Sequence, residues 1–174
     1  LIASERFEDA QKHRWDGFLA TLNPVLLRAY LRVLPDFEDI EFEEAAKAHA
    51  ARFGDVTTAL GFFLAWTDLG HAARLVEQRA TEIDGNLHHV LGPAAEALRT
   101  RYPLAAALLW RAMVNETLRK NRKDQYGPAA DYLMDCAAAD LEINDYGTFQ
   151  SHGSFVDALR KRHGQKAAFW TRVS

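Results

Sequence analysis

Five side chains in this sequence could hold a partner by polar contact if the chain brings them to its surface. From Pro103 onward, Leu104, Leu108 and Ala112 recur at helical spacing, and the same side of the helix continues into Asn115 and Arg119. A face that turns from apolar to polar in this way can leave the core and line a groove. There an amide and a guanidinium could grip a carboxylate or a phosphate, because guanidinium donates paired hydrogen bonds to planar anions. Arg111 flanks the pair. The competing explanation is a solvated helix end, where Arg119, Lys120, Arg122 and Lys123 complement the negative end of the helix macrodipole. The second surface is Trp170 beside Lys166 and Arg172, which is either a partner contact or an aromatic covered by cationic stems. Arg111, Asn115, Arg119, Lys166 and Trp170 are therefore the candidate partner-binding residues.

Other residue types offer less. The adjacent His88 and His89 point about 100° apart on a helix, so their rings do not converge on one ion. The single cysteine, Cys136, lacks the paired spacing of zinc sites and reads as core packing. Six acidic residues between Asp36 and Glu44 read as a solvated face that also favours a helix start. Asp131 and Asp135 share a helix stripe without the desolvation that acid or base work requires. A glycine-rich phosphate loop, a nucleophile elbow and a zincin helix are all missing. No catalytic residue, metal or cofactor is assigned, and the chain is read as noncatalytic.

The elements that must position these residues are helices. Proline and glycine punctuate successive helical patterns, and the alternating β-branched runs that mark strands are absent. Ser4 is expected to cap a first helix carrying Phe7, Trp15 and Phe18, which stops at Asn23-Pro24. Pro24 opens a second that ends near Pro35, and a third runs from about Glu38 to Phe53. Val56 to Leu69, apolar on nearly every side and containing Trp66, is expected to be the central, most buried helix, ended by Gly70. Ala72, Val76, Ala80 and Ile83 continue at helical spacing up to Asp84-Gly85. Then Gly92-Pro-Ala-Ala-Glu-Ala-Leu98 recurs as Gly127-Pro-Ala-Ala-Asp-Tyr-Leu133, an offset of 35 residues. Such a period belongs to helix-hairpin arrays. Each copy is expected to set its proline in a first helical turn, with Pro103 to about Asn121, carrying a buried Trp110, as the helix between them. A terminal helix or helix pair from about Ser154 to Arg172, with Gly164 as a break, closes the stack. The fold class is thus all-α: stacked antiparallel helix hairpins in a tetratricopeptide-like superhelical array. Residues 1–174 read as one helical-repeat domain, a fragment of a longer protein.

Composition sets outer bounds. A chain of 174 residues, 48% hydrophobic, can bury a sizeable core. Its net charge of -3 is not the strong positive field on which a dedicated nucleic-acid binder depends. One cysteine excludes an intrachain disulfide and fits a reducing cytoplasm. The longest apolar runs, Ala59 to Trp66 and Pro103 to Trp110, fall short of the roughly 20 residues that cross a bilayer.

Several motifs in the second half carry a likeness: Gly92-Pro-Ala-Ala-Glu-Ala-Leu98, Tyr102-Pro-Leu-Ala105, Asp145-Tyr-Gly147, Ser151-His152, and His163-Gly-Gln-Lys166 followed by Phe169-Trp170. In these the stretch from Leu91 to Val173 resembles the C-terminal region of an uncharacterised bacterial domain family of helical repeats, whose proteins can also carry a SWIM-type zinc finger. The resemblance implies an all-helical fold and a bacterial cytoplasmic setting, with no activity to carry over. Any zinc module would lie outside this chain. The functional expectation is a scaffold for a protein or peptide segment, another domain of its parent chain included. The alternative is an anion- or nucleic-acid-associated module using the basic clusters Arg119 to Lys123 and Arg160 to Lys166; an enzyme with an unrecognised site ranks third.

Overall fold

The computed structural model describes residues 2–173, and of Ile2 only its place in a helix. The described residues form ten α-helices and two short 3-10 turns, with no strand. The helices are α1 (Ile2–Thr21), α2 (Pro24–Leu31), α3 (Glu38–Ala51), α4 (Val56–Ala65), α5 (Leu69–Gln78), α6 (His88–Leu98), α7 (Pro103–Arg119), α8 (Tyr126–Asp140), α9 (His152–His163) and α10 (Ala167–Trp170). The chain divides into two compact units, 1–72 and 73–174.

Side-chain caps set several of these boundaries. Asn23 accepts a hydrogen bond from the Val25 N–H at 2.9 Å with Pro24 at the first helical position. Asp55 accepts from Thr57 and Ser151 from Ser154 at the starts of α4 and α9. Each such cap is worth about 1 kcal/mol. Ser4 caps nothing, because α1 is already helical from Ile2. The stretch from Val56 to Leu69 is two helices, not one. Thr67 lies at φ 61°, outside the right-handed region, and the Asp68 carboxylate then accepts from the His71 N–H at 3.0 Å to start α5. Gly70 therefore sits inside a helix and does not end one. The aspartate was obscured by the apolar run on either side of it.

In the first unit the core is aromatic. Phe18, Leu27, Ala46, Ala50 and Phe63 are fully covered. Trp15 packs against Phe18, Tyr30 and Phe42 with ring centroids 5.0–6.0 Å apart. Trp66 is not core: it is half-buried, with its indole N–H donating to Glu43 at 2.8 Å and Arg28 5.0 Å above its ring.

In the second unit α7 takes the central place expected of the segment after Val56. Eleven of its 17 residues are buried, Trp110 among them, and it packs against both α6 and α8. Ala105, Ala106 and Ala107 are at most 1% exposed, small residues that let neighbouring backbones come close. The two Gly-Pro-Ala-Ala copies share a burial pattern: Ala94, Ala95 and Leu98 in α6 and Ala129, Ala130 and Leu133 in α8 are all at most 2% exposed. Their prolines differ. Pro128 is the third residue of its helix, in the first turn as expected, but Pro93 lies inside α6, which begins at His88. At the far end Phe155, Leu159 and Phe169 join Val114, Leu118 and Tyr126 in one cluster. Burying one such large apolar side chain contributes about 1.5–3 kcal/mol. Gly164 does separate α9 from α10, making the terminal segment a helix pair.

Candidate functional site

The middle of α7 borders a depression of about 320 Å³, wholly within the second unit. Leu108, Arg111, Ala112 and Asn115 form one wall because their spacing keeps them on one helical side. Thr81 stands across from them on the first 3-10 turn, and Thr148, Phe149 and Gln150 come from the segment that precedes α9. Two backbone devices hold the walls. Gly85 is buried, and a Cβ there would run into the Ala112 carbonyl, so only glycine lets this turn lie against α7. Gly147, at φ 57°, turns the other wall and donates its N–H to the Asp145 carboxylate at 2.7 Å.

Arg111 is the unusual group. It is only 6% exposed, and its Cζ lies 4.7 Å from the Phe155 ring centroid and 5.2 Å from that of Tyr146. Its Nη1 donates to the Gln150 carbonyl at 2.8 Å, whereas Nε and Nη2 have no partner. Among the described residues no carboxylate forms an ion pair with it; the nearby Asp140 instead accepts the Tyr146 hydroxyl at 2.6 Å. Burial, and then this bond, push the Tyr146 phenol up to about 12. Burial also lowers the pKa of the Arg111 guanidinium, though an arginine stays protonated at neutral pH. A cation so placed has lost its water and gained only the distant charge of Asp140, without an ion pair. The neighbouring His152 has an unpartnered Nδ1, and burial pulls its pKa down.

The five candidate residues go to four places. Arg111 and Asn115 meet in this depression. Arg119 does not join them. Its side chain is 66% exposed and turns back to Glu116, with Nη2 to Oε1 at 2.6 Å and Nε to Oε2 at 3.0 Å. Lys120 pairs with the same carboxylate at 3.1 Å, and Asn86 donates to it at 3.1 Å. Led by Arg119, these donors hold the Glu116 carboxyl at about 2. Lys166 borders a second depression of about 420 Å³ with Asn121, Lys123 and Gln165, and donates to Asn121 at 3.0 Å. Trp170 packs half-buried against the Phe169 cluster and donates its indole N–H to the His163 carbonyl at 2.9 Å. The cation over its ring is Arg160, at 4.1 Å, in place of Lys166 or Arg172.

No residue pattern in the sequence marks Thr81 or the 148–150 wall. Asp145-Tyr-Gly147 was the one signal there, a short turn motif that says nothing about where the chain goes next. His88 and His89 gather no companions: among the described residues no three His, Cys, Asp or Glu side chains form a group able to hold a metal. Cys136 is buried against the Ala107 carbonyl, and burial pushes its thiol up to about 12. Among the described residues no helix is long and apolar enough to cross a membrane.

Fold and site together define an all-helical protein with a preformed depression bordered by a buried guanidinium that forms no ion pair. The chain belongs to the family of unknown function DUF6880, whose family model matches residues 1–172. No curated protein and no solved structure matches it.

Proposed function

We propose that this chain is a noncatalytic binding module that receives a peptide segment in the Arg111 and Asn115 depression. The observation that carries the reading is the open, partly apolar hollow beside a buried cation that has no partner for two of its nitrogens. Ligand sites combine an apolar lining with a few placed polar groups in this way. The matched burial of the two Gly-Pro-Ala-Ala copies, with α7 packed against both helices, supports the finer fold reading of stacked hairpins in a tetratricopeptide-like array. The bacterial setting rests on the family resemblance, and the cytoplasmic one on that resemblance and the single cysteine.

Selection of random octapeptides displayed in both chain polarities tests this, followed by anisotropy titration of the enriched peptide. Asn115→Trp fills the hollow and is expected to weaken binding at least about ten-fold with the fold intact by circular dichroism. Failure to enrich any peptide, or indifference to Asn115→Trp, sinks the reading.

One observation favours a second reading, an anion- or nucleic-acid-associated module: Lys123 and Lys166 border one depression with Asn121 and Gln165. Oligonucleotide binding that falls steeply with salt would favour it, and no binding at low salt would remove it.

A further inference from the structure

We infer that the Arg111 depression recognises the free C-terminal carboxylate of a peptide whose last side chain is apolar. The inference rests on the peptide-binding reading above and names which part of the peptide the site takes.

The guanidinium sets the charge of the ligand. Arg111 is 94% covered if its 6% exposure is subtracted from the whole, and its partners are one carbonyl and two aromatic rings. Rings and a carbonyl provide no ion pair, and Asp140 acts on it only from a distance, so the group that completes the site is an anion. Nη1, bound to the Gln150 carbonyl, retains a second N–H for it. Asn115, on the same wall, brings an amide that can both donate to a carboxylate and accept from a peptide N–H.

The rest of the wall sets the ligand's shape. Leu108, Ala112 and Phe149 place apolar surface beside the cation. A C-terminal residue presents a carboxylate and an apolar side chain from one Cα, and so satisfies both halves of the hollow together. An aspartate or glutamate side chain carries its charge at the tip of its stem and leaves the apolar half empty. Inorganic phosphate likewise matches only the cation. The volume of about 320 Å³ is at the small end of ligand pockets, which run from about 300 to 1,000 Å³. It suits the end of a chain better than a folded surface.

The test follows the backbone amides of Thr81, Ala112 and Gln150 by NMR during titration with N-acetyl-L-leucine, N-acetyl-L-leucinamide, acetate and phosphate. N-acetyl-L-leucine is expected to give saturable shifts, with leucinamide at least about ten-fold weaker and acetate and phosphate weaker than N-acetyl-L-leucine. Arg111→Gln is expected to abolish the preference for acid over amide, a discrimination that a purely structural arginine would not control. Should that variant unfold, Asn115→Asp sets a negative charge in the same wall and is expected to reverse the preference. Equal binding of acid and amide overturns the inference, as does equal binding of N-acetyl-L-leucine and phosphate. If octapeptides bind in the hollow equally well as acids and as carboxamides, peptide binding stands and the carboxylate anchor falls. If neither octapeptides nor N-acetyl-L-leucine perturb the hollow, both fall.

Discussion

Arg111 and Arg119 stand two helical turns apart on α7 and have opposite surroundings. Arg119 is exposed and meets Glu116 through two hydrogen bonds, so its charge is answered within its own helix. Arg111 is enclosed by Phe155 and Tyr146 and answered by one carbonyl. Both residues have the charge and the side-chain chemistry for an anion. Only Arg111 has unmet demand, because water solvates an exposed cation fully and a largely covered one poorly. A functional arginine is thus marked by its burial and its lack of a carboxylate, whereas sequence spacing treats the two alike.

The largest expected effect falls on the backbone between them. Gly85→Ala forces a Cβ against the Ala112 carbonyl and the Glu116 side chain, and is expected to cost about 1–3 kcal/mol by denaturant titration. It should also weaken ligand binding, since the displaced segment of α7 carries one wall of the hollow.

Acid separates the two surroundings. Glu116 has its carboxyl held at about 2 against an ordinary 4.5, so its contribution is complete above about pH 4.5 and disappears as pH falls through about 2. With solvent screening allowed for, Glu116→Gln is expected to cost about 1–2 kcal/mol at pH 7 and to flatten stability across that window. His152, near Arg111, has its pKa lowered from 6.5 by burial. The unfolded chain then takes up the proton first, and stability is expected to decline as pH drops below about 6.5. His152→Gln should remove that part of the decline in a pH series of melting curves.

Substituting the arginines sharpens the contrast further. Arg111→Met keeps the bulk between the two rings and deletes a buried charge that has no ion pair, so stability is expected within about 1 kcal/mol of the parent or above it, while ligand binding disappears. Arg119→Ala, at an exposed pair, is expected to leave both stability and binding nearly unchanged. A loss of several kcal/mol in Arg111→Met, or a loss of binding in Arg119→Ala, would reverse the roles given to the two residues.

Much of the helical order was legible because helix ends carry local chemistry. Asn23-Pro24 and Gly164 mark boundaries that the structure keeps. Asp68 was not legible, since a cap inside an apolar run looks like an interruption of one helix. Half of the hollow could be read from α7 itself, where Leu108, Ala112 and Asn115 follow helical spacing. Arg119 follows the same spacing but is captured by Glu116 three residues earlier, a choice among side-chain partners that periodicity does not encode. The 148–150 wall depends on a glycine at positive φ and on the packing of α9, and both are consequences of the folded chain.

The most direct test reads both guanidiniums in one titration, through their Nε–Hε resonances in an arginine-labelled sample receiving N-acetyl-L-leucine. A saturable shift of Arg111 with Arg119 unmoved is expected; a shift of Arg119 with Arg111 unmoved would contradict the roles given to the two residues.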